Sequence, residues 1–435
     1  MREAVQTPGL KPALAAQLEA ARRRTLELIA PLSDDDLVKQ HSPLVSPLVW
    51  DLAHTGHFEE LWLLRTIAGR HASDGRFDHV YDALESPRAA RSELDLLSPA
   101  EARAYLEHVR SRVLEVLDEI DLDEDDPLLR DAFVYGMIIQ HEHQHQETIL
   151  ATLQLRNGDY PLDDEPVLEG EPPAEPEALV EGGPFVLGTN DEPWAYDNER
   201  SAHELELPPF WIDTVPVRNG AYLQFVEAGG YAEAEHWSEE GWAWRKETGA
   251  GHPQFWERGR SGDWTRLRLG RREPLPPDEP VQHVCWYEAD AYARFVGKRL
   301  PTEAEWEKAA TWDQHHGKQR FPWGAEEAGE EHANLGQRRF HPAPVGSFPL
   351  GVSPSGCHQM LGDVWEWTAS DFGPYPGFEA FPYREYSEVF FGSEYKVLRG
   401  GSWATHPLVA RSTFRNWDYP IRRQIFAGFR CARDA

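Results

Sequence analysis

The sequence is poor in cysteine and in basic residues. Only three cysteines, Cys285, Cys357 and Cys431, occur in 435 residues. They are too few and too scattered for a disulfide framework or a cysteine-rich zinc site. Lysine and arginine total 43 against 74 aspartate and glutamate, which gives a net charge of -31. That charge disfavours binding to nucleic acid or to an anionic membrane surface, so small molecules are the expected partners.

Long apolar runs are also missing from the sequence. No stretch of about 18 apolar residues occurs that could span a membrane. The first residues, MREAVQTPGLKPAL, lack the apolar core of a secretory signal. We therefore expect a cytoplasmic protein, either monomeric or weakly associating. A length of 435 residues exceeds one ordinary hydrophobic core and predicts two domains.

Residues 1–157 have the pattern of a helical bundle. Apolar residues recur at helical spacing in ALAAQLEAARRRTLELIA, between Leu44 and Ile67, and in AYLEHVRSRVLEVLDEI. A capping box that begins at Ser98 marks the start of one helix. A further helix is predicted from about Leu128 to Leu155. This domain is therefore expected to contain four long helices.

Residues 158–178 are predicted to be a linker, because YPLDDEPVLEGEPPAEPE is too rich in proline and acid for a regular helix. Beyond it, residues 179–435 have short apolar runs cut by glycine and proline, with long loops such as Trp237 to Pro280. Two helices stand out, one at about Asn219 to Ala228 and one that begins at Thr302 with a capping box. The predicted fold class is α+β, with a helical bundle followed by a mixed, loop-rich domain.

The densest chemical signal is the segment QHEHQHQE, which contains His141 and His145. Because they are four residues apart on a helix, their side chains share one face and can bind one metal ion, while His143 points elsewhere. The apolar flanks MIIQ and TILATL indicate burial, where imidazoles without a metal or hydrogen-bond partners would be costly. The third ligand is predicted to be His54, with His57 as the competing candidate. The alternative interpretation is a solvated histidine pair on a helix face.

The spacing of the histidines does not identify the metal. Three imidazoles suit zinc, copper or iron. A site with three protein ligands leaves positions open for substrate, which is typical of catalytic sites and not of structural ones. The metal is therefore expected to take part in a reaction.

Motifs along nearly the whole chain resemble those of one family. SPLVWDLAH, EELWLLR and QHEHQHQET resemble the DinB-type bundle of the ergothioneine sulfoxide synthases, also called hercynine oxygenases. GGPFVLGT, LPTEAEWEKAA, GDVWEWTASDF, VLRGGSW and AGFRCARD resemble their second domain, a C-type-lectin-like fold of the formylglycine-generating-enzyme type. The combination of these motifs with a three-histidine bundle is specific to the family.

The resemblance implies a ligand set and a reaction. His54, His141 and His145 match the residues that hold iron(II) in the family, so the expected cofactor is Fe(2+). Gln144 matches the glutamine that helps to hold the imidazole substrate. The implied reaction uses O2 to join the sulfur of γ-glutamylcysteine to C2 of the imidazole ring of hercynine, and it yields a sulfoxide in ergothioneine biosynthesis.

The resemblance also implies further substrate contacts. Arg88 and Arg91 match two basic residues of the bacterial branch that uses γ-glutamylcysteine, and guanidinium groups have the forked donors that suit a carboxylate. The substrate-binding loop of the family is matched by Asn416, Trp417 and Asp418. Asp418 would meet the ammonium of the thiol donor, and the other two would suit a trimethylammonium group. The alternatives are solvated surface arginines and a buried loop tryptophan beside a capping aspartate.

A tyrosine acts as proton donor in the family, and Tyr375 in FGPYPGF is the match in this chain. Tyr383 and Tyr386 lie close enough in sequence to be alternatives. Without the proton donor, simple oxidation of the thiol should compete with formation of the carbon–sulfur bond.

The sequence disfavours three other functions. A formylglycine-generating oxidase needs a reactive cysteine pair after Arg-Gly-Gly-Ser. The ten residues that follow this motif here, WATHPLVARS, contain no cysteine. A DinB-type zinc-dependent thiol transferase would leave the second domain without a role, and a sugar-binding protein would leave the buried histidines without one. Closer relatives that use cysteine or a selenosugar remain open, although Arg88 and Arg91 favour γ-glutamylcysteine.

Overall fold

The computed structural model describes residues 9–122, 125–156, 158–162 and 168–435. The predicted domain boundary at Asn157 and residues 163–167 of the predicted linker lie outside these ranges. The chain divides into two compact units, Met1–Pro161 and Leu162–Ala435.

The first unit is helical, and four of its helical segments are long, as the sequence predicts. Its α-helices are α1 (Leu10–Ile29), α2 (Asp34–Val38), α3 (Leu48–Glu59), α4 (Phe77–Val80), α5 (Pro99–Glu119) and α6 (Phe133–Leu155). A π-helix, Glu60–Ile67, continues α3, and 3-10 helices span Arg88–Glu93 and Arg130–Ala132. The long segments are α1, α3 with its π-helical continuation, α5 and α6.

Local sequence explains where α5 begins, and packing explains α3. The Ser98 hydroxyl accepts a hydrogen bond from the Glu101 backbone N–H, and the Glu101 carboxylate accepts one from the Ser98 N–H. This capping box satisfies backbone donors that the first turn would otherwise leave unpaired. Every residue of α3 is buried, because this helix packs against both α5 and α6.

A buried cluster of four charges joins the four long helices. Arg22 of α1 contacts Glu59 at 2.9 Å and Glu142 at 2.6 Å, while Arg110 of α5 contacts the same two carboxylates at 2.6 and 3.2 Å. Two positive and two negative charges balance inside the bundle, which is the condition for burying them at tolerable cost. Because Glu142 lies on α6, the cluster also fixes the rotation of that helix about its axis.

The second unit mixes helices with short strands. Its helices are α7 (Asn219–Glu227), α8 (Glu239–Thr248), α9 (Trp286–Phe295) and α10 (Glu303–Thr311). Its strands are β1 (Glu177–Val180), β2 (Gly183–Leu187), β3 (His203–Leu207), β4 (Phe210–Asp213), β5 (Trp256–Arg258), β6 (Trp264–Arg268), β7 (Arg271–Pro274), β8 (Trp312–Asp313), β9 (Gly317–Lys318), β10 (Trp365–Phe372), β11 (Gly392–Arg399), β12 (Asn416–Asp418), β13 (Ala427–Gly428) and β14 (Ala432–Asp434).

These strands form small sheets and not one large one. The orders are β12-β11-β10-β13, β1-β4-β14 and β5-β6-β7, with two-stranded pairs β2-β3 and β8-β9. In the four-stranded sheet only the β10-β13 pairing is parallel. The predicted capping box at Thr302 begins α10, and the fully buried Trp306 of that helix donates its indole N–H to Glu366 of β10 at 2.9 Å. That contact ties the helix to the largest sheet.

Several elements were not predicted from the sequence. Helix α8 and strands β5 to β7 lie inside the segment Trp237 to Pro280, which was predicted to be a loop. The start and end signals of α8 are present, since Ser238 accepts from the Gly241 N–H and Gly249 ends the helix with a φ of 65°. Strand β1 begins at Glu177, within the segment predicted to be a linker. Among the described residues, no helix combines the length and the apolarity needed to cross a membrane.

Candidate metal centre

Helices α3 and α6 bring three imidazoles together. One ring nitrogen from each of His54, His141 and His145 lies within 4.8 Å of the other two. The ring centroids are 4.6 to 5.0 Å apart. His54 comes from the buried helix α3, and the other two occupy one face of α6, as their spacing predicts. The group is therefore assembled by the packing of two helices.

Hydrogen bonds fix which nitrogen two of these rings present. The Nδ1 of His54 lies 2.7 Å from the carbonyl oxygen of Tyr81, and the Nδ1 of His145 lies 3.2 Å from Oδ1 of Asp51. A carbonyl or a carboxylate only accepts, so each Nδ1 carries the proton and donates it. Each Nε2 then keeps its lone pair, which is the state a metal requires.

Electrostatics keeps two of the rings neutral. Burial, followed by the neighbouring His145, holds the pKa of His54 well below its usual value. Burial, followed by His145 and His54, does the same to the pKa of His141. Both rings are therefore uncharged at neutral pH and available as ligands.

Aromatic stacking holds the rings from the side. His54 stacks on the indole of Trp50 with centroids 4.6 Å apart and planes 13° apart, and His141 stacks on Phe58 at 3.9 Å. The guanidinium of Arg91 lies over the Trp50 ring, 3.4 Å from the ring centroid. Side chains restrained in this way lose little freedom when they bind a ligand.

The residues present fit a divalent transition metal. Three imidazole nitrogens are the donor set, and the buried carboxylate of Asp51 lies beside one of them. Within the part of the chain that the structure describes, Oδ2 of that carboxylate has no hydrogen-bond partner, although the residue is 1% exposed. A nearby positive charge would compensate this otherwise costly group.

The other histidines of these helices lie outside the group. His57 is buried, and its Nε2 lies 2.9 Å from Oδ1 of Asp78. His143 lies on the side of α6 that packs against α1, where its Nδ1 is 3.1 Å from Oε1 of Gln146 and that glutamine donates to the Ala21 carbonyl at 2.9 Å. The competing candidate His57 is thus hydrogen-bonded to the Asp78 carboxylate.

The structure places the predicted substrate residues of the first unit in different surroundings. Gln144 is half-buried on α6, beside His145. Arg88 is exposed. Arg91 is buried and donates to the Ser46 hydroxyl at 2.7 Å and to the carbonyls of Ser86 at 2.9 Å and Ala83 at 3.3 Å. Burial lowers the pKa of Arg91 to about 10, and the Asp51 carboxylate opposes that shift.

In the second unit, Asn416, Trp417 and Asp418 form the short strand β12, and all three are half-buried. Trp417 stacks on Phe372 with centroids 4.1 Å apart. Asn416 accepts from the Trp417 N–H at 2.9 Å, and Oδ1 of Asp418 lies 3.3 Å from Nε of Arg422. The strand thus presents an indole held rigidly by another aromatic ring.

The three candidate tyrosines differ in their surroundings. Tyr375 is buried in a cluster with Phe185 and Leu187, and its hydroxyl donates a long hydrogen bond of 3.5 Å to Glu303. Burial raises the pKa of Tyr375. Tyr386 packs edge-on against Trp417 at 5.8 Å, and the half-buried Tyr383 lies 6.2 Å from Tyr386.

Sequence reasoning missed the groups that support the metal ligands. Asp51 had a usable signal, because it is a lone acid in the apolar helix LVWDLAH and lies three residues before His54. Trp50 had only its position in the same helix as a signal. The Tyr81 carbonyl had none, since any residue at that position would supply the same acceptor.

Comparison with known proteins agrees with the two-part organisation. Residues 17–149 match the DinB superfamily, and residues 165–435 match the sulfatase-modifying factor enzyme 1-like domain. Both matches confirm the predicted order of a DinB-type helical domain and a mixed domain of the formylglycine-generating type.

Full-length relatives share one name. The hercynine oxygenase of Mycolicibacterium thermoresistibile is 50% identical over 435 residues, covering 97% of this chain and 94% of that protein. The hercynine oxygenase of Mycobacterium tuberculosis is 51% identical over 430 residues, covering 97% of this chain and 98% of that protein. The formylglycine-generating enzyme of Streptomyces coelicolor is 34% identical, but that match covers only 58% of this chain, with 88% of that protein. From this identity over nearly its whole length, the chain belongs to the hercynine oxygenase family and is an oxygenase.

Proposed function

We propose that this enzyme uses O2 to join the sulfur of γ-glutamylcysteine to C2 of the hercynine imidazole and to oxidise that sulfur to a sulfoxide. His54, His141 and His145 would hold the iron(II) that this reaction needs. The observation that carries the proposal is the three-imidazole group in a chain that is about half identical to proteins named hercynine oxygenase.

The donor set supports a catalytic metal. Neutral imidazoles leave the full charge of a divalent ion in place, and three protein ligands leave coordination positions open. Bound iron(II) would supply a centre for the reaction of O2 with a thiolate, at a site shielded from solvent. The chain itself contributes the fixed tautomers of His54 and His145, which leave the Nε2 atom of each ring available to the metal.

The overall reaction balances without an added reductant. The imidazole C2 loses its hydrogen, and the thiol loses the hydrogen on sulfur as the carbon–sulfur bond forms. One oxygen atom of O2 becomes the sulfoxide oxygen, and the other leaves as water with both hydrogens. The two substrates thus supply all four electrons that O2 accepts.

Gln144, Asn416 and Trp417 hold hercynine in this proposal. Gln144 adjoins the metal ligand His145 and has an amide that can bond to an imidazole nitrogen. A trimethylammonium group has no N–H to donate, so an aromatic face and amide dipoles are its natural partners. The indole of Trp417, held against Phe372, offers such a face.

Arg88, Arg91 and Asp418 hold γ-glutamylcysteine in this proposal. The two guanidiniums bind the γ-glutamyl carboxylate, and Asp418 binds the ammonium. Arg91 donates at 3.3 Å to the Ala83 carbonyl, and this long contact is the one it would exchange for a carboxylate. Arg88 is exposed and serves as the more accessible of the pair.

Tyr375 is the proposed proton donor, and Tyr383 is a second candidate. The second assignment is favoured by its half-buried position next to Tyr386, which contacts Trp417. Tyr375→Phe and Tyr383→Phe should be compared for the ratio of sulfoxide conjugate to oxidised thiol. The variant that lacks the donor should shift that ratio toward oxidised thiol with its iron content unchanged.

The experiment that tests the whole proposal loads the protein with iron(II) or zinc(II) without oxygen, then admits O2. Each form receives hercynine with γ-glutamylcysteine or hercynine with cysteine, and the products are identified by mass. A sulfoxide conjugate from the iron form with γ-glutamylcysteine supports the proposal. Conjugate formation only with cysteine would reassign Arg88 and Arg91. No O2 uptake by the iron form with either thiol would favour a zinc-dependent thiol transferase.

A further inference from the structure

The Asp51 carboxylate is a feature of the first unit that the proposed reaction does not use. Asp51 lies on α3, three residues before His54, and is 1% exposed. Its Oδ1 accepts a hydrogen bond from Nδ1 of His145 at 3.2 Å. Its Oδ2 is buried and has no hydrogen-bond partner among the described residues. Asp51 thus joins one metal-ligand helix to a ligand on the other.

This carboxylate is poorly compensated by the protein alone. The Arg91 guanidinium interacts electrostatically with it, but the donors of that guanidinium go to Ser46, Ser86 and Ala83. Other buried acids of the bundle differ in this respect. Glu60, which is equally buried, accepts from the Ser73 N–H at 2.8 Å and from the Tyr105 hydroxyl at 2.7 Å. A buried charge with an unpaired oxygen is costly unless another charge offsets it.

We propose that Asp51 is a positioning residue of the metal site, which orients His145 and supplies the negative charge that offsets a bound divalent cation. This inference rests on the proposed three-histidine site. A carboxylate that accepts from the distal nitrogen of a ligand imidazole fixes its orientation and makes it a stronger donor to the metal. Because an imidazole ligand carries no negative charge, the Asp51 carboxylate is also the group that offsets the charge of a cation bound at the site.

The proposal predicts opposite effects with and without metal. Asp51→Asn keeps the size of the side chain and an oxygen that can accept from His145, but it removes the charge. The metal-free variant should be at least as thermally stable as the metal-free wild type, since an uncompensated buried charge is gone. The metal-bound variant should be less stable than the metal-bound wild type, since binding is weaker and stabilises less.

The test uses cobalt(II) as the probe, because its visible spectrum reports coordination by imidazoles. The full chain and Asp51→Asn are titrated with cobalt(II), and each melting temperature is measured with chelator and with saturating metal. Asp78→Asn is the matched control, since that carboxylate accepts from His57 and not from a ligand of the group. We expect Asp51→Asn to bind cobalt(II) about 10- to 100-fold more weakly, with an altered spectrum. The control should bind as the wild type does.

Two outcomes overturn the inference. One is an unchanged cobalt(II) affinity and spectrum in Asp51→Asn. The other is an equal fall in melting temperature with and without metal, which would make Asp51 a structural residue only. Failure of the underlying site has a different signature. If the wild type binds no more cobalt(II) than the His145→Ala variant does, the assignment of the three-histidine site itself is wrong.

Discussion

Substitution of Glu142 by glutamine should loosen the helix that carries two of the three histidines. Glu142 lies 2.6 Å from Nε of Arg22 and 3.2 Å from Nη2 of Arg110, and it is fully enclosed by the bundle. In Glu142→Gln, Glu59 alone must balance two buried guanidiniums, so the cluster keeps a net charge of about +1. Removal of one partner from a buried ion pair costs about 3–5 kcal/mol.

Hydrogen exchange read by mass spectrometry gives the most direct measurement of this cost. Amides of α6 should exchange roughly a hundred- to several-thousand-fold faster in Glu142→Gln, which is the rate equivalent of that energy. Glu115→Gln is the control, because Glu115 is exposed on α5, and its cost should stay within about 0.5 kcal/mol.

A double variant separates the effect of charge imbalance from the effect of losing the Glu142 side chain. Arg110→Met combined with Glu142→Met removes one charge of each sign and leaves Arg22 paired with Glu59 at 2.9 Å. Its cost should be smaller than that of Glu142→Gln alone, since a balanced pair has been replaced by apolar groups. A loss below about 1 kcal/mol in Glu142→Gln, or a costlier double variant, would refute the assignment of this cluster as a charge-balanced lock on α6.

Three further predictions concern metal content, donor binding and acid stability. His145→Ala should lose bound iron in metal analysis, whereas His57→Ala should retain it, because the second ring is bonded to a carboxylate outside the group. Arg88→Ala should raise KM for γ-glutamylcysteine about tenfold or more and leave KM for cysteine unchanged, since one charge-assisted hydrogen bond is worth about 1.5–3 kcal/mol. Burial acts to raise the pKa of Glu199, but Arg411, at 2.5 and 2.8 Å, outweighs it and the pKa is lowered. The melting temperature of the second unit should therefore fall as pH drops below about 4.5 and through the folded pKa of Glu199. The Glu199→Gln variant should already be destabilised at pH 7. Its melting temperature should also lack the part of the acid-induced fall that protonation of Glu199 causes.

Local sequence signals predicted the elements that local chemistry specifies. The capping boxes at Ser98 and Thr302 begin α5 and α10 because a hydroxyl and a glutamate three residues later satisfy the first turn without tertiary help. The four-residue spacing of His141 and His145 places them on one face for the same reason. His54 was predicted over His57 because it lies in an apolar helix that could face the bundle interior, and the family resemblance matched the same residue.

Long-range packing decided what the sequence did not reveal. Arg91 matched a ligand-binding residue, but in the structure its donors serve Ser46 and two carbonyls. Tyr375 matched a proton donor, and it lies in the apolar cluster of Phe185 and Leu187. Neither environment is encoded by nearby residues. Helix α8 was missed because its glycine and tryptophans resemble those of the surrounding loops, although Ser238 caps it.

The measurement that tests the central claim most directly is the ratio of O2 consumed to product formed. Iron(II)-loaded enzyme with hercynine and γ-glutamylcysteine, and with no reductant, should consume one O2 for each sulfoxide conjugate, with one oxygen atom of labelled O2 in the product. Conjugate formation without O2 uptake, or uptake that yields only oxidised thiol, would contradict the account.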